Sequence, residues 1–385
     1  MITINNQNYC EYCFQRLAGQ YCPICIPKQN PVGTLAVGEV LAGRYIVGKI
    51  LGKGGFGRTY LCLDTATNTR VAIKEYFPET LAHRDAGQKI VRPKQDPALY
   101  KKGEKKFYKE ASLLARLKDI PGVVKVESFF MENNTAYFVM EYLVGNDLRN
   151  YFQKDPHPNE NLIIYIGIEV LKSLRSLHQK SVLHRDIAPD NIFMCENGIP
   201  KLIDFGASRV TIGTISNSLS VILKPGFAPF EQYQTKGKQG PWTDIYALGA
   251  TMYYLLKKRM PPDAVSRFNS DTIDFSGISP YLGRILAKMM AIRVEDRYKS
   301  ADEVLPELMR AQSGNTPQPN PQNLTPNPDN IQINNPDVQK HSSIRQIPIE
   351  PINNKTNPKI GIIVLCVVIF IIYILFLSLL LQYIG

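Results

Sequence analysis

Two short polar segments of the sequence hold carboxylate and amide side chains at a spacing that could bind a metal ion and orient a hydroxyl. The first covers residues 184–191 and reads His-Arg-Asp-Ile-Ala-Pro-Asp-Asn, and the second is Asp-Phe-Gly, beginning at Asp204. A carboxylate such as that of Asp186 can accept the proton of an attacking alcohol, and the oxygens of Asn191 and Asp204 are of the kind that Mg²⁺ prefers. Either segment alone could be an acidic surface turn. The two in this order predict a site for metal-bound phosphate groups.

Upstream of these segments, a glycine-rich stretch lies between two predicted strands. Arg44 to Leu51 alternates apolar residues like a strand, residues 52–57 read Gly-Lys-Gly-Gly-Phe-Gly, and a second strand is predicted from Thr59 to Asp64. This glycine spacing also occurs in dinucleotide-binding folds, but there the glycines open a helix. Because a strand follows here, we expect a hairpin whose backbone amides lie over phosphate groups without obstruction from side chains.

Together with Val71-Ala-Ile-Lys74, these segments resemble the protein kinase family. The resemblance covers residues 44–312 and implies an α+β fold with two lobes, a β-rich N-lobe and an α-helical C-lobe. It implies ATP and Mg²⁺ as cofactors, with Lys74 on the phosphates, Asp186 as catalytic base, and Asn191 and Asp204 as magnesium ligands. The activity implied is transfer of the ATP γ-phosphate to serine or threonine hydroxyls of protein substrates.

The resemblance also implies an adenine site and a carboxylate partner for the lysine. Ala136 to Met140 is predicted to be a strand, with Met140 as gatekeeper, and Glu141-Tyr-Leu resembles the hinge. A helix is predicted from about Lys102 to Lys118, and Glu110, rather than Glu104, lies on the stripe expected to face Lys74. The nucleotide-binding residues implied are Leu51, Gly52, Gly54, Gly55, Gly57, Ala72, Lys74, Met140, Glu141 and Leu143.

The catalytic loop departs from the family pattern at Ala188, where serine/threonine kinases usually carry a lysine. The activation segment ends in Pro229-Phe-Glu231, and counting back from Glu231 places Lys224 where the family usually has a threonine. Our hypothesis is that Lys224 supplies the missing cation as a catalytic residue. Two alternatives are a pseudokinase scaffold that recruits partners to the membrane, for which Ala188 argues, and a kinase that acts on a small alcohol.

Other matches to the family have architectural or regulatory meaning. Asp244 is expected to brace the catalytic loop, and Arg297 to pair with Glu231. An arginine beside the catalytic aspartate, here Arg185, often accompanies activation by phosphorylation, so we expect autophosphorylation. The candidate acceptors are Thr211, Thr214, Ser216, Ser218 and Ser220.

The stretch from Glu75 to Lys101 is longer than in most kinases, and we expect it to position the Glu110 helix or to dock a partner.

Four cysteines near the N-terminus form two Cys-x-x-Cys pairs, and residues 1–30 are predicted to be a module resembling a zinc ribbon. Four thiolates suit tetrahedral Zn²⁺, and nothing else in this stretch could bury a core. Two disulfides are the competing interpretation, disfavoured because no signal segment precedes the cysteines and a reducing cytosol is expected. A flexible joint is predicted from Pro27 to Pro31, and the module could serve in docking, dimerisation or metal sensing. The proposed ligands are Cys10, Cys13, Cys22 and Cys25.

Composition and the C-terminal region indicate where the protein resides. The net charge of +11 over 385 residues is spread along the chain, so we expect no nucleic-acid partner. Residues 313–358 are rich in Asn, Pro and Gln and are predicted to be a disordered linker. Residues 360–384 are almost wholly apolar, which predicts a membrane-spanning helix, and Lys355 and Lys359 before it place the kinase domain on the cytoplasmic side of the cell membrane.

Overall fold

The computed structural model describes residues 9–18, 22, 25, 29–55, 57–94, 96–153, 155, 157–205, 223–234 and 236–314. The predicted membrane span, nearly all of the predicted linker and the candidate phosphorylation sites between 211 and 220 lie outside these residues. Within them, no helix has both the length and the apolar character needed to cross a membrane.

An antiparallel sheet of six strands forms the N-lobe in the described residues, in the spatial order β1-β2-β3-β4-β8-β7. Two short strands, β5 and β6, form a separate hairpin inside the long stretch that follows β4. Val71 and Ile73 are β-branched residues of β4 that favour a pleated, packed strand, and both are fully buried. The strands in chain order are β1 Val40–Leu41, β2 Tyr45–Gly54, β3 Gly57–Asp64, β4 Thr69–Tyr76, β5 Ala82–His83, β6 Arg92–Pro93, β7 Val126–Glu132 and β8 Thr135–Glu141.

The C-lobe is mainly helical and also contains three short strands, which lie side by side in the order β11-β10-β9. Its central helix begins after Asn159, whose side chain accepts a hydrogen bond from the amide of Asn161 (2.8 Å) and so caps the first turn. The remaining elements are β9 Gly145–Asp147, α2 Leu148–Tyr151, α3 Glu160–Gln179, β10 Ile192–Cys195, β11 Pro200–Leu202, α4 Phe230–Tyr233, α5 Pro241–Lys257, α6 Ala264–Asn269, α7 Pro280–Met289 and α8 Ala301–Gln312.

The helix between the fourth and seventh strands, α1 (Pro97–Ala115), starts five residues earlier than the sequence predicted. Asp96 caps it by accepting a hydrogen bond from the amide of Leu99 (2.8 Å), and Pro97 suits the first turn because it has no amide hydrogen to leave unpaired. The preceding hairpin and this longer helix account for most of the stretch from residue 75 to residue 101, so it is an ordered part of the N-lobe.

The segment between the cysteine pairs and the kinase-like region also packs on the N-lobe. Leu35 is buried in an apolar cluster of the lobe, together with Val47 of β2 and Ile73 of β4. The side-chain amide of Asn30 donates to the carbonyl oxygens of Leu35 (2.9 Å) and Gly48 (2.8 Å). The described part of this segment, residues 29–41, therefore belongs structurally to the lobe and does not separate the cysteine module from it.

Candidate active site

Lys74 and Asp204 form an ion pair that joins the two lobes. Lys74 lies on β4, between Thr59 of β3 and Phe138 of β8, and its Nζ donates to Oδ1 of Asp204. Burial by itself would lower the pKa of Lys74, but the negative charges of Asp204 and Glu110 outweigh burial, so the pKa is raised. Burial would raise the pKa of Asp204, yet the charge and hydrogen bond of Lys74 hold it below its usual value. Both groups are therefore charged at neutral pH.

Glu110 lies on α1, is buried, and acts on Lys74 through its charge. Glu104, the alternative that the sequence offered one turn and a half earlier, bonds instead to Nζ of Lys101 (2.9 Å). The two carboxylates of this helix thus have different surroundings, and Glu110 is the one that contributes to the charge balance at the cleft.

The catalytic loop places the proposed base and the amide ligand side by side. Nδ2 of Asn191 donates to Oδ2 of Asp186 and to the carbonyl oxygen of Asp186, each at 2.7 Å. The amide of Ile203 donates to the carbonyl oxygen of Asn191 (3.0 Å), which brings the residue preceding Asp204 next to the loop. The structure therefore brings Lys74, Asp186, Asn191 and Asp204 into one cluster, and the oxygens of Asn191 and Asp204 form a donor set that fits Mg²⁺.

Asp244, at the start of α5, holds the backbone of the catalytic loop. Its Oδ1 accepts from the amide of Arg185 (2.7 Å), and its Oδ2 accepts from the amide of His184 (2.9 Å) and from Nε2 of His178 (2.8 Å). Arg185 and Asp204 both have positive φ angles, 65° and 52°, which cost energy for residues with side chains. The two bonds from the loop amides of His184 and Arg185 to Asp244 offset this strain on the catalytic-loop side.

Lys224 reaches the catalytic loop from the far end of the activation segment. Its Nζ donates to Oδ2 of Asp190 (2.8 Å) and lies 3.6 Å from Oδ2 of Asp186. Ala188, between these two aspartates, is fully buried. A cation is therefore present beside the proposed base although position 188 of the loop does not supply one.

The end of the activation segment is anchored as the sequence predicted. Oε1 of Glu231 accepts from Nη1 of Arg297 (2.9 Å) and from the hydroxyl of Thr243 (3.0 Å). This buried ion pair fixes α4, and Lys224 lies seven residues before Glu231.

The residues expected around the nucleotide lie along the cleft side of the sheet and the hinge. Ala72 and Met140 are direct neighbours on β4 and β8, and Leu51 lies on the exposed half of β2. A Cβ atom at Gly52 or Gly55 would meet nothing within 4 Å. The space beside the backbone at these two glycines is therefore open for phosphate groups. The predicted nucleotide residues Glu141 and Leu143 lie at the end of β8 and just after it.

Gly57 differs from the other loop glycines because a Cβ atom there would collide with the carbonyl oxygen of Glu75, so packing against β4 explains this glycine.

One hinge contact had no signal in the sequence. Nζ of Lys201 donates to both carboxylate oxygens of Glu141, at 2.6 and 2.7 Å. Lys201 lies on β11, three residues before Asp204. The pair therefore links the hinge to the strand that ends two residues before the predicted magnesium ligand Asp204.

The four N-terminal cysteines converge on one point. Their sulfur atoms all lie within 4.8 Å of one another, and the separations are 3.7 Å for Cys10 and Cys25, 3.5 Å for Cys13 and Cys22 and 3.6 Å for Cys22 and Cys25. No disulfide joins the cysteines among the described residues, which include all four of these. Burial raises the pKa of the Cys13 and Cys25 thiols, so a metal ion would have to displace their protons.

Comparisons with known proteins agree with this geometry. A family model described as the protein kinase domain matches residues 45–310. The chain is 32% identical over 284 residues to serine/threonine-protein kinase PknA of Nostoc sp., covering 70% of this chain and 48% of that protein. It is 30% identical over 283 residues to serine/threonine-protein kinase B of Synechocystis sp., covering 70% and 46%. It thus spans about half the length of the curated relatives it matches.

A solved structure has a similar fold. The structure described as "PpkA-294 apo form" superposes with a TM-score of 0.66 at 35% identity, covering 72% of this chain and 99% of that one. The expected α+β, two-lobed architecture is confirmed. The family model matches more than half of the chain, and the chain belongs to the protein kinase family.

Proposed function

We propose that this protein is an ATP-dependent protein kinase that transfers the γ-phosphoryl group to serine or threonine hydroxyls of protein substrates. The observation that carries the proposal is the cluster in which Lys74 bonds Asp204 across the cleft while Asn191 holds the carboxylate of Asp186 at 2.7 Å. The similarity to kinases of Nostoc and Synechocystis supports the same activity.

The roles follow from the charges and hydrogen bonds of the chain's own residues. Lys74 is charged and placed to bind the phosphate oxygens, while Asp186 is oriented by Asn191 to accept the proton of the substrate hydroxyl. Asn191 and Asp204 would hold Mg²⁺, which when bound neutralises charge on the phosphates. Catalysis in this arrangement consists mainly of positioning and charge stabilisation.

The decisive experiment incubates the purified full chain with γ-labelled ATP, Mg²⁺ and a generic protein substrate, beside Asp186→Asn. Transfer to serine or threonine by the native chain, lost in the variant, is the expected result. Nucleotide binding without transfer would instead support the pseudokinase scaffold, and transfer only to small alcohols would support the third alternative.

Within this proposal, Lys224 acts as the cation that the catalytic loop lacks. The support is its position 3.6 Å from the carboxylate of Asp186, together with the buried alanine at position 188. A cation near the transferring phosphoryl group in a site with little water stabilises the charge that develops there.

The test of Lys224 is kinetic. We expect Lys224→Ala to lower kcat by about 10²-fold, the usual cost of one such group, while the dissociation constant for ATP changes little. Lys224→Arg keeps the charge and is expected to retain most activity, and Ala188→Lys in the Lys224→Ala background is expected to restore part of it. A Lys224→Ala variant with full turnover would refute the role.

We also propose that the four cysteines bind Zn²⁺. A Zn–S bond of about 2.3 Å in a tetrahedron puts the sulfur atoms about 3.8 Å apart. The three separations of 3.5 to 3.7 Å support such a site. We expect one zinc per chain by elemental analysis, and loss of zinc in a Cys13→Ser, Cys25→Ser double variant. A native chain without bound metal, purified in the presence of zinc, would contradict the proposal.

The location of the protein remains a proposal from the sequence. We propose a single membrane span over residues 360–384, with the kinase domain in the cytoplasm, on the strength of the uncharged apolar run and the lysines before it. The full chain is expected in the membrane fraction and a chain ending at residue 359 in the soluble fraction. Recovery of the full chain in the soluble fraction without detergent would refute the span.

Autophosphorylation of the segment between residues 211 and 220 is likewise proposed from its hydroxyl residues and Arg185. Phosphopeptide mapping of the native chain after incubation with ATP, with Asp186→Asn as control, tests it.

A further inference from the structure

We infer that Phe14 and Gly48 form a positioning contact through which the four-cysteine module holds the glycine-rich strand β2, so that nucleotide affinity depends on the module. The inference rests on the proposed kinase function and names which residues outside the cleft set nucleotide binding. It is carried by the way the module fits the edge of the N-lobe sheet.

Strand β2 leaves its regular pairing at the point where the module meets it. Its register with β3 shifts between Val47 and Ile50, and again between Ile50 and Gly52. In this irregular stretch the amide of Lys49 donates to the carbonyl oxygen of Tyr12 in the module (2.8 Å). The amide of Ile50 donates to Oδ1 of Asn30 (3.1 Å). Groups from the N-terminal segment thus replace sheet partners at the base of the glycine-rich hairpin.

The contact at Gly48 is closer than any other residue type would allow. A Cβ atom at this position would lie 2.6 Å from the ring of Phe14 and 2.7 Å from the carbonyl oxygen of Tyr12. The ring of Phe14 is buried against the strand, and its backbone has a φ of 56°, an uncommon conformation for a bulky residue. Both features fit a ring that is pressed onto bare backbone.

The module links this contact to the metal ligands and to the hinge. Cys10, Cys13 and Phe14 share an apolar cluster with Ile46 of β2 and Leu61 of β3. Tyr142, which follows the last residue of β8, packs against the same cluster. Elements on two sides of the adenine site therefore rest on residues that adjoin the proposed zinc.

The contact at Gly48 also affects the position of the glycine-rich tip of the hairpin, residues 51–55. Residues 51–55 are exposed, and Gly52 and Gly55 have open space where a side chain would be, so the tip takes its position mainly from its base. Loss of the base contact lets the tip adopt more conformations, and ordering it on nucleotide binding then costs more entropy. Lys74, Asp186 and Asn191 are held by other elements, so turnover of bound nucleotide should not change.

The test compares KM for ATP with kcat in the full chain. We expect Phe14→Ala to raise KM and the dissociation constant of a fluorescent ATP analogue about fivefold to tenfold, with kcat within twofold of the native value. Phe14→Leu, which refills most of the contact, is expected to recover affinity. Tyr9→Ala removes an exposed ring of the same module and serves as the matched control with native kinetics.

A second measurement needs no variant, in case Phe14→Ala fails to fold. Hydrogen exchange at the amide of Lys49 is expected to accelerate when zinc is removed by a chelator, while exchange along β8 stays unchanged. Native KM and native nucleotide affinity in Phe14→Ala, or exchange at Lys49 that is the same with and without zinc, would overturn the inference. A native chain that binds nucleotide but transfers no phosphate would refute the kinase proposal alone, because the affinity and exchange comparisons still apply to it.

Discussion

Two neighbouring residues of β4, Lys74 and Glu75, point to opposite faces of the N-lobe sheet, and each forms an ion pair. On the cleft face, Lys74 pairs with Asp204, whose side chain is 45% exposed. On the other face, Glu75 pairs with Arg84, and both side chains are fully buried. The same strand thus carries one ion pair that is open to solvent and one that is closed.

In the closed pair, the carboxylate oxygens of Glu75 accept hydrogen bonds from two neutral tyrosine hydroxyls and a second hydrogen bond from Arg84. Oε1 and Oε2 of Glu75 accept from the hydroxyls of Tyr137 (2.8 Å) and Tyr60 (3.0 Å), and Nη1 of Arg84 adds a bond to Oε2 (3.2 Å). A buried charge is tolerated only with such complete pairing. Under the proposed function, the open pair exchanges partners when metal and phosphates enter, whereas the closed pair stays intact.

The closed pair also explains part of the long stretch between β4 and α1. Arg84 lies in this stretch directly after β5, and its Nε donates to the carbonyl oxygen of Lys89 (2.9 Å). The stretch therefore inserts a cation behind the strand that carries Lys74. Arg84 thus contacts the strand of Lys74 and not the Glu110 helix, and the two expected roles of the stretch, positioning that helix or docking a partner, both stay predictions.

The largest effect should come from breaking the closed pair. Arg84→Ala leaves the charge of Glu75 buried with only tyrosine donors, and we expect the free energy of unfolding to fall by about 3–5 kcal/mol. Chemical denaturation measures this loss. Arg92→Ala removes an arginine of the same hairpin that is 64% exposed and should cost less than about 0.5 kcal/mol. Equal losses in the two variants would show that burial of the pair is not what matters.

Breaking the open pair should affect catalysis and leave stability nearly intact. Lys74→Met is expected to lower the rate of phosphoryl transfer by about 10²- to 10³-fold, the range for loss of one charge-stabilising group. Because Asp204 can be solvated when its partner is removed, the free energy of unfolding should change by less than about 1 kcal/mol. Steady-state kinetics and denaturation of the same preparation test both statements, and a large loss of stability would contradict the contrast.

Removing one neutral hydrogen-bond donor of the closed pair tests the difference between the two faces of the sheet more finely. Tyr137→Phe deletes a 2.8 Å hydrogen bond to a buried carboxylate, which typically costs about 1.5–3 kcal/mol. We expect the melting temperature to fall while KM for ATP stays native, since Tyr137 contacts the face away from the cleft. A changed KM with unchanged stability would reverse the assignment of the two faces.

The smallest effect concerns a buried titratable group below the cleft. Burial lowers the pKa of His184 to about 4, so the folded protein keeps this histidine neutral at pH values where the unfolded chain protonates it. The contribution of neutral His184 to the free energy of unfolding is complete above about pH 6.5 and is lost as the pH falls toward 4. The free energy of unfolding should therefore fall by about 2 kcal/mol between pH 7 and pH 5. Denaturation of native protein and His184→Gln at both pH values tests this, and the variant should lose less. Parallel losses would rule out His184 as the source.

The sequence by itself predicted the candidate site residues and most of the elements. Residue types at fixed local spacing identified Lys74, Asp186, Asn191 and Asp204, because a catalytic loop and a metal loop need few neighbours to be specified. Periodicity predicted the strands around the glycines and the helix that carries Glu110 to within about five residues at each end, since local backbone preference and one-sided burial act over short distances. Lys224 was found by counting from Glu231, which works because the Arg297 pair fixes the end of that segment.

Only the tertiary structure decided which distant residues meet. The bond between Lys74 and Asp204 spans 130 positions, and those of Glu141 with Lys201 and of Tyr12 with Lys49 likewise join separate elements. Such contacts depend on how strands and helices pack against one another, and a local pattern contains no record of that packing. For the same physical reason, the sequence assigned the cysteine module to a separate region, whereas packing at Gly48 joins its described residues to the N-lobe.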